Sequence, residues 1–166
     1  MWESRAIMQY VMNEYAPTSS LYPKDPAARA KIDSILQYDQ GEFYKSVSQY
    51  IYKSVGIRAG QRDNPEEIKE FWKQVDFIEN NLIKGKYLTG DSITIADISL
   101  AMGMNMPMVY LGDNCYKDHP KIKAWHREMA QCKEFNEESK KFRKGMKIFE
   151  YSIVQHVVRA IQWIKS

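Results

Sequence analysis

The earliest residues able to do chemistry are Glu3, Ser4 and Arg5, in the opening stretch MWESRAIMQY. They stand where a helix is expected to begin, so unpaired backbone amides and the positive end of the helix dipole favour a bound carboxylate. Ser4 can add a hydroxyl donor to that carboxylate, and Glu3 can take an ammonium group beside it. An α-amino acid head carries both groups on one carbon, which makes it the natural ligand for such a trio. The same three residues also read as an ordinary N-cap followed by first-turn charges.

A second set lies on a long helical run. Gln37, Gly41, Tyr44 and Ser48 recur at i, i+4, i+7 and i+11, on a stripe distinct from the apolar one, with Gly41 leaving space. Such a stripe can line a pocket for a small molecule, or it can be a solvent-facing stripe with one exposed tyrosine. Two other patterns lead away from chemistry. Met102, Met104, Met106 and Met108 have the look of a thioether copper site. Residues two apart on a helix point about 200° apart, however, and methionines filling an irregular core are the better reading. His119, His126 and His156 have no carboxylate or cysteine at ligand spacing, so no metal site is expected; His119 belongs to a helix start.

The elements that must position these residues are helical throughout. Residues 3–15 carry Met8, Val11, Met12 and Tyr15 on one expected apolar stripe, and Pro17 stops them. Residues 16–25 form a Pro/Ser-rich connector. Asp25-Pro26 reads as an N-cap with proline at the first helical position. Ile32, Leu36, Phe43 and Val47 then run as an apolar stripe to about Val55, interrupted at Gly41. Asn64-Pro65 opens the next helix, with Ile68, Phe71, Trp72, Val75, Ile78 and Leu82 at helical period. Thr94 and Asp97 form a structural capping box, with Ile93 as its hydrophobic staple. Further helices start at Asp118-His119-Pro120 and after Phe135. The tail carries Ile153, Val154, Val157, Val158, Ile161 and Ile164 on one face. Its polar face has only Arg159 and Lys165 as cations, a weak basis for a membrane surface. The expected fold is all-α, with about seven helices.

Three of these segments together resemble a known family. The ESR start before its Pro/Ser connector, DPAARAKIDSILQYDQGEFYKS, and above all GKYLTGDSITIADISL are similar to the C-terminal half of a cytosolic glutathione transferase. The likeness is greatest to the insect-type delta and epsilon classes and covers most of residues 1–145. It implies that residues 1–15 are the last helix of a truncated thioredoxin-like domain and that 16–25 are the interdomain linker. Residues 26–150 would be the helical domain, and 151–166 an amphipathic extension longer than the family's final helix. It implies that Glu3 and Ser4 hold the γ-glutamyl head of glutathione, with Arg5 at the edge, and that Gln37, Gly41, Tyr44 and Ser48 line the pocket for the apolar co-substrate.

The resemblance further implies a homodimeric, cytoplasmic detoxification enzyme that conjugates glutathione to apolar electrophiles, using glutathione as co-substrate and no other cofactor. The serine that supports the glutathione thiolate in these classes would fall upstream of Met1. No catalytic residue is therefore assigned, and the chain as it stands is expected to be inactive. The rival expectation is a non-catalytic helical binding or assembly module, a use the wider superfamily makes of such domains.

Composition sets the outer bounds. In 166 residues, 44% apolar and 27% charged, there is enough apolar material for one globular domain. A net charge of +3, with scattered basic residues, gives no case for nucleic acid. Cys115 and Cys132 are the only cysteines and form no C-x-x-C, which fits a reducing compartment. Glu3 and Arg5 interrupt any secretory leader, and no run is long enough for a membrane span, so a cytoplasmic location is expected.

Overall fold

The first long rod begins where Asp25 accepts the Ala28 N–H at 2.7 Å, with Pro26 at the first helical position. It belongs to a computed structural model that describes residues 2–51 and 64–148, so the expectations for Val55, His156 and the apolar tail lie outside the described residues. Before this rod comes α1 (Ser4–Tyr15). The rod itself is α2 (Pro26–Tyr38), a π-turn (Asp39–Phe43) and α3 (Tyr44–Tyr50). The interruption expected at Gly41 is thus a π-turn, in which the Tyr44 N–H reaches back to the Asp39 carbonyl.

Next comes α4 (Pro65–Phe77), where the Asn64 side chain accepts the Glu66 N–H at 3.1 Å; it ends in a second π-turn (Ile78–Leu82). The remaining helices are α5 (Ile95–Gly103), α6 (Asn105–Leu111), α7 (Pro120–Met129) and α8 (133–148). With each π-turn counted as part of its rod, six helices have both ends within the described residues, one fewer than the expected seven; α8 runs on to their edge. No strand occurs among the described residues, only an isolated bridge between Tyr87 and Gly90. None of the described helices is long and apolar enough to cross a membrane.

The core lies between these rods. Leu36, Phe43, Phe71, Ile78, Leu100, Met104, Ile122, Trp125 and Met129 are fully buried, as the helical spacing of the apolar residues requires. Met106 is buried as well, and Met102 and Met108 pack partly against the same core.

Two buried carboxylates organise the far half. Asp97 closes the capping box of α5: its Oδ2 accepts the Thr94 N–H at 2.9 Å and the Thr94 hydroxyl at 2.8 Å. Its Oδ1 accepts the Leu88 N–H and the Trp125 indole N–H, both at 2.9 Å. Glu79 accepts the Lys121 and Ile122 N–H groups at 2.9 Å and so caps α7 from the second π-turn.

Helix α1 departs from its expected orientation. Met8 and Met12 face inward, but Val11 and Tyr15 are 43% and 74% exposed rather than part of the core stripe. Ile7 and Tyr10 also face outward, as does Trp2 just ahead of the helix. Polar hooks fix this rotation. Gln9 donates to Asp33 at 2.7 Å, the Tyr22 hydroxyl donates to the same oxygen at 2.9 Å, and Arg29 donates to Asn13 at 2.8 Å. With one face of α1 committed to α2, the apolar residues on the other face are left outside.

Candidate functional site

The start of α1, the π-turn and α5 meet at one corner. Glu3 occupies the N-cap position of α1 with φ 70° and ψ 100°. Among the described residues it is the only non-glycine residue with positive φ. For a side chain with a Cβ that backbone costs about 1–3 kcal/mol, and it persists only where neighbours enforce it. The Glu3 carboxylate does not cap the helix, contrary to the plain N-cap reading. Its Oε2 accepts from the Gln40 side-chain amide at 2.5 Å. No side chain caps α1, so its first amides stay available to a ligand. The Ser4 hydroxyl is exposed; it accepts one bond from Arg5 at 3.2 Å and can still donate its own proton.

Arg5 is the fixed element of the corner. Its Nε and Nη2 donate to Asp39 Oδ2 at 3.1 and 2.8 Å, and its guanidinium lies 5.4 Å from the centroid of the Tyr44 ring. The Asp39 side chain is fully buried, and the Ser99 hydroxyl donates to the same Oδ2 at 2.5 Å. Its Oδ1 is buried with no partner, and a Cβ placed on Gly103 would lie 3.7 Å from it. A buried carboxylate thus holds a positive charge at a constant place beside the open amides.

Of the residues singled out from sequence, Glu3, Ser4 and Arg5 come together here, and Tyr44 joins them through Arg5. Gln37 and Gly41 are exposed on the outer face of the rod, with no atom within 4 Å of a Cβ added at Gly41; Ser48 is half-buried. Three further members escaped the sequence: Asp39, Gln40 and Ser99. A readable signal existed for Asp39, a carboxylate within the buried register of Ile32, Leu36, Phe43 and Val47.

The histidines stand apart from this corner. His119 is at the start of α7, stacked on Trp72 at 5.8 Å and bonded to Asp76 at 3.1 Å. Burial lowers the pKa of His126, whose Nε2 has no partner. No cluster able to hold a metal is present among the described residues.

The chain as a whole is similar to known proteins. Residues 43–132 match the family described as glutathione S-transferase, C-terminal domain. Glutathione transferase E6 from Drosophila melanogaster aligns with a TM-score of 0.80 at 29% identity, over 91% of this chain and 69% of its own. A Nilaparvata lugens delta-class glutathione transferase aligns at 0.77 and 28%, over 90% and 70% of the two chains. A diazinon-metabolizing glutathione S-transferase of the silkworm Bombyx mori aligns at 0.76 and 25%, over 88% and 68%.

Proposed function

The chain belongs to the family of the glutathione S-transferase C-terminal domain, and from that premise we propose that it serves the conjugation of glutathione to apolar electrophiles. Its part is to hold the γ-glutamyl end of glutathione and to supply one wall of the electrophile pocket. Glu3 receives the ammonium group. The Ser4 hydroxyl and the open amides of α1 receive the carboxylate, and Arg5 adds a fixed positive charge at the edge. The observation that carries this reading is the strained backbone of Glu3, held between the Gln40 contact and the anchored Arg5.

Gln37, Gly41, Tyr44 and Ser48 form the pocket wall in this reading, with Tyr44 bridging wall and corner. Residues 1–15 serve as the last helix of a thioredoxin-like fold, 16–25 as linker and 26–150 as the helical domain. The working enzyme is a homodimeric, cytoplasmic detoxification enzyme of the delta/epsilon type. The 166-residue polypeptide alone does not conjugate. Conjugation needs the glutathione thiol held as thiolate, and the corner recognises the head of glutathione rather than its sulfur.

Heteronuclear NMR titration of the polypeptide with glutathione tests the binding role. Shifts should centre on the Glu3, Ser4, Arg5 and Gln40 amides and vanish in Ser4→Ala; a titration with no localised shift removes the reading. Turnover of a chlorinated aromatic by the same polypeptide, well above the uncatalysed rate, would contradict the inactivity.

A second reading, a non-catalytic assembly module, draws on the outward face of α1, where Trp2 is 84% and Tyr15 74% exposed beside Ile7, Tyr10 and Val11. A monodisperse monomer that captures no partner in pull-downs would dispose of it.

A further inference from the structure

Helix α8 has two faces of opposite character. At about 100° per residue, Phe135, Ser139, Phe142 and Met146 fall on one line. Phe135 and Ser139 are buried, and Phe142 and Met146 pack partly against the core. The opposite line carries Lys133, Lys140, Lys144 and Lys147, all exposed, with Glu137 as the acid among them. Lys141 is engaged by Glu138 at 2.7 Å, and Arg143 is bonded to Asp113. The four lysines of the outer line have no ion pair among the described residues.

Lys140, Arg143, Lys144, Lys147 and Ile148 line a groove of about 500 Å³, and Ile148 is 60% exposed at its end. Through the Arg143–Asp113 pair the groove adjoins a cavity of about 510 Å³ rimmed by Lys117, Lys123 and Arg127. None of these residues contributes to the corner at Glu3.

We propose that this face docks on an anionic phospholipid surface, with Lys140, Lys144 and Lys147 at the headgroups and Ile148 at the acyl boundary. Charge complementarity argues for the partner. Several lysines along one helix face meet the diffuse negative field of a lipid leaflet, each adding attraction independently. Their chemistry argues for lipid over a discrete phosphate ligand or nucleic acid. The groove's guanidinium is already engaged by Asp113, which leaves flexible point charges rather than a planar fork. An exposed isoleucine stands among them, and among the described residues no aromatic ring lines the groove for base stacking. The proposal is independent of the glutathione reading.

Flotation of the full 166-residue chain with vesicles is the test, comparing phosphatidylcholine alone with phosphatidylcholine plus phosphatidylserine. Binding should require phosphatidylserine and weaken as salt is raised. It should fall about a hundredfold in the triple variant Lys140→Gln, Lys144→Gln, Lys147→Gln, from about 1 kcal/mol per cation and about 1.4 kcal/mol per tenfold. A control, Lys24→Gln, Lys31→Gln, Lys69→Gln, removes the same charge elsewhere and should bind normally. Circular dichroism checks that both variants keep their helix content; if the glutamine variant unfolds, Lys→Ala at the same positions replaces it. No binding to phosphatidylserine vesicles overturns the proposal. So do equal binding to both lipids, an unaffected triple variant, a control that loses as much, or tighter capture by duplex DNA than by vesicles.

Discussion

Asp39 receives three hydrogen bonds on one oxygen and none on the other, all from side chains far along the sequence. Removing it strands a half-buried guanidinium, and breaking such a pair costs about 3–5 kcal/mol. Asp39→Ala should therefore shift the urea midpoint strongly downward, while Asp39→Asn, which keeps an acceptor, should cost less. Both should abolish glutathione-induced shifts at Ser4 if Arg5 depends on this anchor. His126 makes a separate prediction. Burial lowers its pKa, so the unfolded chain binds the proton more readily than the folded one. Its contribution is whole above the ordinary histidine value near about 6.5 and is lost as pH falls from there toward the lower folded value. Thermal denaturation should thus show stability falling as pH drops below the ordinary histidine value of about 6.5, and His126→Phe should flatten part of that decline. At this scale Glu3, Ser4 and Arg5 were legible because they are contiguous. Asp39 and Ser99 were not joined to them, because Asp39 lies 34 residues beyond Arg5 and Ser99 a further 60 beyond Asp39, separations that carry no local pattern.

Among the elements, the α5 start is held by a single side chain that also reaches the loop before it and the tryptophan of α7. Asp97→Ala leaves the Leu88 and Thr94 amides, the Thr94 hydroxyl and the Trp125 indole without their acceptor in the interior. A loss of about 3 kcal/mol or more is expected, well beyond the usual cost of a cap. Chemical denaturation of D97A measures it, and a loss under about 1 kcal/mol would mean the four donors find other partners. The capping box could be read from four consecutive residues, Thr94 to Asp97, which is why its position was plain. The π-turns were harder. A glycine marked the first one, but nothing in a 3.6-residue period shows where a helix accepts an extra residue, and Asp39 sits at that point. The extent of α1 was equally readable, yet its rotation was not: Gln9, Asp33 and Tyr22 set it, and apolar periodicity does not see them.

For the whole molecule, an all-helical architecture followed from a repeated helical period and well-marked starts, with the pairing of helices left to the structure. The apolar residues on the outside of α1 are the main departure from an ordinary solvated surface. Ile7, Tyr10, Val11 and Tyr15 together should make the 166-residue chain self-associate as its concentration rises. Light scattering should show this, and Val11→Glu with Tyr15→Lys should restore a monomer; a wild-type chain that stays monomeric throughout counts against an adhesive α1. Trp2 stands next to Glu3 and faces solvent, whereas Trp125 is enclosed and bonded to Asp97. The two indoles should therefore differ in emission colour and in access to dissolved quenchers. With Trp72 and Trp163 replaced by phenylalanine, a red-shifted, readily quenched signal from Trp2 gives the corner its own lamp, one that changes colour whenever something settles over it and needs no attached label.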